Sequence, residues 1–428
     1  MVAWIACCFF GLLTIGVPIA FTLGLSALIY LVFLHAGPLR MIGTQMFAGV
    51  DSFAYIAIPF FILAGELMGA GGITTRLITF ASALVGRVKG GLAYTVVVAE
   101  MILSGVTGSA VADAAALGTI LIPSMKKEGY DNSFATALVA AASVLGPIIP
   151  PSLIMVVYGV TANESIGALF IGGIIPGVIM GSFLMLTARV LGYWYPLPVK
   201  PSGVSFKEIA GTGRDAFFSL LMPVVVIGGI LSGAFTPTEA AVVACVYALF
   251  VGIFIFKELK LSMLSNLFVR SGVTSSMVLL IAACASIFSL LLTTELIPQR
   301  LSAFVVSFAT TPASIIILIN IFLLIAGCLM ETSALIIILT PILLPLVTQA
   351  GVHPLHFGII MTVNLSIGLV TPPVGVCLFV GCAIGKITLE KLTMAIWPFI
   401  LCHLSTLAMI TFFPEIVLWL PRYFGYIQ

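Results

Sequence analysis

Apolar blocks follow one another along the whole chain, each on the scale of the roughly 20 residues that a membrane-spanning helix needs. They predict full crossings at 4–34 (bent near Pro18), 47–70, 166–190, 216–233, 239–256, 272–294 and 392–420. Two further crossings, 132–159 and 356–383, are interrupted at 146–151 and 368–373 by glycine and paired prolines. Segments 91–122 and 313–346 become small and polar near their middles, at 104–109 and 327–333. They read as re-entrant hairpins, each a pair of half-length helices. Residues 73–90, with Arg76, Arg87 and Lys89 among apolar neighbours, suit a helix lying along the interface, and 297–312 forms a similar amphipathic link. A polar stretch with Pro196, Pro198, Pro201, Gly203, Gly211 and Gly213 separates two halves. The predicted organisation is a first repeat over 1–190, a linker and connecting span over 191–235, and a second repeat over 236–428.

The halves are related by an offset of 222 positions. Gly105 falls on Gly327, Pro123 on Pro345, Gly129 on Gly351 and Gly146 on Gly368. Pro150 and Pro151 fall on Pro372 and Pro373, Gly159 on Gly381 and Pro176 on Pro398, all without a gap. Glycine and proline are the residues that dictate backbone shape. Their coincidence therefore predicts that the same broken structure occurs twice.

Composition narrows the class. The chain is 61% hydrophobic and 7% charged, against about 25% charged in a typical soluble domain. No segment is long and polar enough for a soluble nucleotide-binding or catalytic module, and no GxxxxGK[ST] phosphate loop occurs. The net charge of +2 gives no reason to expect nucleic acid. Eight cysteines sit inside apolar spans and read as small hydrophobes rather than disulfides or metal ligands. The first apolar run is too long for a signal-peptide core and lacks a basic flank, so it is expected to be a retained span with no fused subunit before it.

Loop charge gives an orientation. With hairpins leaving loop parity unchanged, 14 of the 17 Lys and Arg residues fall on one face; only Arg40, Arg300 and Arg422 fall on the other. The positive-inside rule makes the first face cytoplasmic. Nine crossings then place the N-terminus inside and the C-terminus outside. Hairpin 91–122 enters from the cytoplasm and 313–346 from outside, so the repeat is inverted, as in many secondary transporters.

Breaks at membrane depth are tolerated only where backbone lines a protein-enclosed cavity. A half-helix ending there offers unpaired carbonyls at one end and N–H groups at the other. Carbonyls and hydroxyls suit a hard alkali cation, and N–H ends suit a carboxylate. The candidate Na+ ligands are Ser104, Gly105, Gly108 and Gly146 in the first half, and Gly327, Thr332, Gly368, Thr371 and Pro372 in the second. The candidate substrate contacts are Thr107, Ser109, Asp113, Pro150, Pro151, Ser152, Ser333 and Gly375. An acid at this depth is costly and usually faces a cavity or partner, which draws attention to Asp113 one turn beyond Ser109. Glu331 occupies the matching tip of the second hairpin, 222 positions from Ser109. Glu239 reads as a helix cap after Thr236, while Glu66 and Glu295 read as structural. His353 and His356 flank Pro354 in a loop and are not expected to bind metal, and Lys126 and Lys127 read as topology anchors.

The run Gly105-Val106-Thr107-Gly108-Ser109-Ala110-Val111-Ala112-Asp113-Ala114-Ala115-Ala116-Leu117-Gly118 resembles the first-hairpin motif of the large membrane subunit of TRAP (tripartite ATP-independent periplasmic) transporters. Gly146-Pro147-Ile148-Ile149-Pro150-Pro151-Ser152, Phe235-Thr236-Pro237-Thr238-Glu239-Ala240-Ala241 and Leu369-Val370-Thr371-Pro372-Pro373-Val374-Gly375 are similar to further stretches of that subunit. The resemblance spans essentially the whole chain. It implies an all-α polytopic inner-membrane protein with an inverted repeat, two re-entrant hairpins and two broken helices, working as an elevator. It implies no enzyme but a Na+-driven importer of a small organic acid, with Na+ as coupling ion and no organic cofactor. The implied partners are a small membrane subunit, expected as a separate chain, and a soluble periplasmic substrate-binding protein. On overall resemblance the substrate would be a sialic acid, with C4-dicarboxylates in the same class. A stand-alone Na+-coupled dicarboxylate or citrate transporter is the alternative. A membrane enzyme or channel subunit fits less well, since no paired catalytic set lies at matched depth.

Overall fold

The computed structural model describes residues 2–33, 38–86, 88–195, 197–198, 206–308 and 311–427. Arg87, Pro196, Pro201 and Gly203, named above, lie outside them. Among the described residues the protein is all-helical, and seven helices are long and apolar enough to cross a membrane.

Both hairpins are present. The first joins Gly91–Thr107 to Ala110–Lys127 through Gly108, at φ +62°, and Ser109. The second joins Pro312–Leu329 to Thr332–Gln349 through Met330 and Glu331. Each arm has 17 or 18 residues, or about 26 Å at 1.5 Å per residue. That exceeds the half-length expected from the sequence. In the first hairpin the surplus carries Lys126 and Lys127 at the outer end.

The two broken crossings are equally clear. Asn132–Ala142 tightens into the 3-10 turn Ser143–Leu145, and the chain resumes as Leu153–Ala162. Pro354–Gly368 is followed, after its own break, by Val376–Gly385. None of these pieces is long enough to cross alone. Pro150–Pro151 and Pro372–Pro373 both carry cis peptide bonds.

The 222-residue offset is visible in the hydrogen bonds themselves. The turn after the first hairpin pairs Tyr130 N with Met125 O and Gly129 N with Lys126 O; the second pairs Val352 N with Val347 O and Gly351 N with Thr348 O. Gly129 and Gly351 sit at φ +92° and +82°, the left-handed region in which a side chain is strained. The next helices are capped by Asp131 and His353, again one offset apart. At the breaks, Ile148 N reaches Leu145 O and Val370 N reaches Ile367 O.

The repeats pack by exchange. Ala110–Lys127 of the first hairpin lies on Val376–Gly385 of the second broken helix, and Thr332–Gln349 lies on Leu153–Ala162 of the first. Each half thus completes the other. Around this core stand the scaffold helices. Ala57–Ala70 packs on Pro237–Phe250, which continues as the π turn Val251–Ile255, and Ile19–Phe33 packs on Leu261–Thr294.

Further boundaries differ from the sequence expectation; the crossing expected at 47–70 starts at Phe53, after a separate helix Arg40–Ala48. The first apolar run splits into Val2–Thr14 and Ile19–Phe33, with Gly16 at φ +87° between them. The polar linker contains a helix, Phe206–Asp215. The final crossing, Leu389–Phe412, stops at Phe413 and Pro414, and Glu415–Tyr423 starts a new helix. Most consequential is Leu261–Thr294, a single helix that begins at Leu261 rather than at 272. Its first turns carry too many polar residues to read as a span. Leu264, Leu267, Ser271 and Ser275 nevertheless recur at helical spacing on a buried or half-buried face.

Candidate functional site

The first hairpin tip is built from a helix end. Gly108 N–H turns back to Ser104 O at 3.3 Å, closing Gly91–Thr107. Its α-carbon is pressed against the first broken helix: a Cβ there would lie 3.0 Å from Leu153 N and 3.1 Å from Pro151 O. Only glycine combines this conformation with this approach. Ser109 is extended and precedes Ala110–Lys127, and no side-chain cap takes up the N–H groups of that helix start.

Behind the tip lies a sealed polar cluster. Thr107 donates its hydroxyl to Asp113 Oδ1. Asp113 and Glu100 are both fully buried, with their carboxyls within hydrogen-bonding reach of each other. Yet Glu100 Oε2 and Asp113 Oδ2 have no hydrogen-bond partner. Ser104 donates to Glu100 O at 2.6 Å. Gly146 closes the other side, since a Cβ there would fall 2.3 Å from Asp113 Oδ2. The second repeat contributes the fully buried Cys377, in the first turn of Val376–Gly385, on this side of the core.

Sequence reasoning missed Glu100. The available signal was an acid in an apolar helix, four residues before Ser104 and therefore on the same face. Asp113, expected at the substrate, turns inward to this cluster and does not line the tip cavity. Ser152 is committed locally: it accepts from Met155 N and donates to Pro147 O as the cap of Leu153–Ala162. Pro150 and Pro151 form the backbone wall beside Gly105 and Gly108.

In the second repeat the backbone is matched but the side chains are not. Gly368 and Gly327 meet backbone to backbone, so that a Cβ on Gly368 would lie 2.3 Å from the Gly327 carbonyl carbon. Thr332 is buried with its hydroxyl unpartnered. Ser333 donates to Glu331 Oε1, and Glu331 caps the helix start through Ala334 N. Thr371 donates to Ile367 O, and Gly375 opens Val376–Gly385 at φ +53° just after Pro372 and Pro373. Where the first repeat buries two acids, the second buries amides: Asn364 donates to Asn320 O and Oδ1, and Asn320 donates to Thr411.

Two cavities of about 420 Å³ line the boundary between scaffold and core. One receives Thr107, Ser109, Ala112 and Ala116 of the first hairpin and Leu153 of the broken helix, facing Phe61, Glu66 and Arg270 of the scaffold. The other lies between Tyr55, Ser286 and Ser289 of the scaffold and Thr161 and Pro341 of the core. A larger cavity of about 1000 Å³, between Arg76 and Arg214, includes no tip residue.

The remaining polar residues have local duties. Glu239 closes a capping box with Thr236, Glu295 accepts from Tyr30, and His353 caps Leu355 N. His356 bonds Ile410 O on the final span. Glu66, expected to be structural, is among the residues lining the tip cavity.

The fold has a solved counterpart: the YdaH transporter of Alcanivorax borkumensis superposes with a TM-score of 0.67 at 14% identity, covering 88% of this chain and 89% of that one. Residues 6–416 match the model of the tripartite ATP-independent periplasmic transporter DctM component. The C4-dicarboxylate TRAP transporter large permease protein DctM of Pseudomonas aeruginosa is 41% identical over 404 residues, 94% of each chain. The sialic acid TRAP transporter large permease protein SiaM of Vibrio cholerae is 38% identical over 98% of both, and the 2,3-diketo-L-gulonate permease YiaN of Escherichia coli 36% over 96% of both. Inverted repeat, paired hairpins and near full-length kinship converge: this chain is a transport permease, not an enzyme, and belongs to the DctM family of TRAP transporter large subunits.

Proposed function

We propose that this chain imports a small organic acid, of the class that includes C4-dicarboxylates and sialic acids, by sodium symport across the bacterial inner membrane. The observation that carries the reading is the cavity at the first hairpin tip, where the Thr107 and Ser109 side chains meet an uncapped helix start. N–H groups at such a start favour a carboxylate. Na+ ligation falls to the breaks: carbonyls and hydroxyls of Ser104, Gly105, Gly108 and Gly146 in one half, and of Gly327, Thr332, Gly368, Thr371 and Pro372 in the other. Supporting it, Glu100 Oε2, Asp113 Oδ2 and Thr332 Oγ1 are buried oxygens without partners, the kind of group a desolvated cation satisfies.

The driving force suffices. A Na+ ion moving inward gains roughly 2.3 kcal/mol per 100 mV and about 1.4 kcal/mol per tenfold gradient. Two ions carrying one monovalent acid retain on the order of 5 kcal/mol after the anion's own electrical cost. The N-terminus is cytoplasmic and the C-terminus periplasmic, as the basic loops indicate. The chain works with a small membrane subunit and takes its substrate from a periplasmic binding protein, in keeping with its family.

The test is uptake of labelled succinate and N-acetylneuraminate into proteoliposomes holding this chain and its small subunit. It is run with and without a Na+ gradient and with and without the binding protein. Uptake requiring both is expected. Uptake indifferent to the binding protein would select the stand-alone symporter, and uptake indifferent to Na+ would remove sodium coupling.

A further inference from the structure

Arg270 precedes the crossing expected at 272–294, but it lies within Leu261–Thr294, roughly 14 Å along the helix from its first residue. Its side chain lines the same cavity as Thr107 and Ser109. Among the described residues no ion pair or hydrogen bond holds the guanidinium, and the same is true of Glu66 across that cavity. The Arg270 side chain is exposed on the amphipathic first turns of its helix and so free to meet an anion, and the hairpin tip presents the cargo's carboxylate to the same space.

We propose that Arg270 is a specificity-determining contact for the carboxylate on the cytoplasmic side of the cycle, with Glu66 as its competitor. This rests on the organic-acid reading above. The guanidinium fork matches a carboxylate through two parallel hydrogen bonds. Its position adds a property that the hairpin residues lack. Arg270 belongs to the scaffold, whereas Thr107 and Ser109 belong to the moving core, so the two come together only when the core stands at the cytoplasmic end of its travel. Arg270 then draws the anion off the hairpin tip. Glu66 repels the anion and offers Arg270 an alternative partner, which keeps the hold weak enough for release.

The experiment is exchange of labelled succinate and N-acetylneuraminate in oriented proteoliposomes containing this chain and its small subunit. Half-saturation is measured separately from the cytoplasmic and periplasmic faces. Arg270→Gln is expected to raise the cytoplasmic-side KM roughly tenfold while leaving the periplasmic-side KM and the maximal rate near wild type, and Arg270→Lys should restore part of the loss. Glu66→Gln should lower the cytoplasmic-side KM. Equal effects on both faces, or none from either variant, overturn the inference. If Arg270→Gln fails to fold, the direction of the Glu66→Gln shift decides. Ser109→Ala separates the two levels: it should impair exchange from both faces. Should it do so while Arg270→Gln and Glu66→Gln behave as wild type, this inference falls and the transport reading stands. An inert Ser109→Ala removes the reading of the hairpin tip as the substrate site.

Discussion

Glu100 and Asp113 are the residues on which the physics of the core bears hardest. Two carboxyls in mutual reach, shut away from water, repel each other when ionised unless a cation lies among them. Glu100→Gln supplies an amide that can donate to the orphaned Asp113 Oδ2 while removing one negative charge. Opposite effects on two readouts follow. Without Na+ the variant should be more stable by roughly 1–2 kcal/mol, because a buried acceptor is satisfied. The rise in melting temperature that Na+ gives the native protein should shrink, since ligand stabilisation follows affinity. A native-like Na+ response in thermal unfolding would place the ion elsewhere. At this scale the sequence was partly legible. Asp113 stood out because it follows a Gly-Ser tip, whereas Glu100 lay between Val96-Val97-Val98-Ala99 and Met101-Ile102-Leu103, an apolar context that masks a lone acid. The inward turn of Asp113 depends on Gly146 yielding space to its carboxyl, and no local pattern carries that information.

At the level of elements, the glycines that mark the repeat act by two distinct mechanisms, and substitutions separate them. At the crossing of the second hairpin and second broken helix, Gly368→Ala drives a Cβ into the Gly327 backbone at 2.3 Å, with no flexible side chain to give way. A loss of at least about 3 kcal/mol is expected. Gly327→Ala meets its neighbours at 3.3–3.4 Å and should cost about 1 kcal/mol. Gly129→Ala finds open space but keeps φ at +92°, so it pays only backbone strain of about 1 kcal/mol. Chemical denaturation in detergent ranks the three, and a Gly368→Ala protein as stable as Gly129→Ala would refute the backbone contact. Hairpins and breaks were legible because Gly and Pro constrain backbone directly, and duplication doubled the signal. Leu261–Thr294 was not, because its first turns are amphipathic rather than uniformly apolar. The division at Phe413–Pro414 and the helix Phe206–Asp215 were likewise hidden within averaged hydropathy.

The molecule as a whole is two interleaved halves inside a scaffold, and an elevator requires the boundary between them to slide. That boundary is close-packed where the connecting helix Phe217–Leu231 meets the core. A Cβ on Gly105 would lie 3.1 Å from Pro223 Cγ, and one on Gly167, in the core helix Ile166–Leu191, 3.1 Å from Ile230 Cγ2. The second pair suits a reversible lock, since it is near disulfide range and leaves the hairpin tip untouched. Gly167→Cys with Ile230→Cys should transport when reduced and stop when oxidised, with activity returning on reduction. Each single variant should be insensitive to oxidant. Substrate binding to the oxidised protein should persist, because the lock holds the core in place without altering Thr107 or Ser109. Undiminished uptake in the fully oxidised form would mean that this boundary does not move. The core would then have to expose its cavities by local hairpin opening, and the tip cavity and its counterpart at Thr161 would belong to one state instead of marking the two sides of a sliding surface.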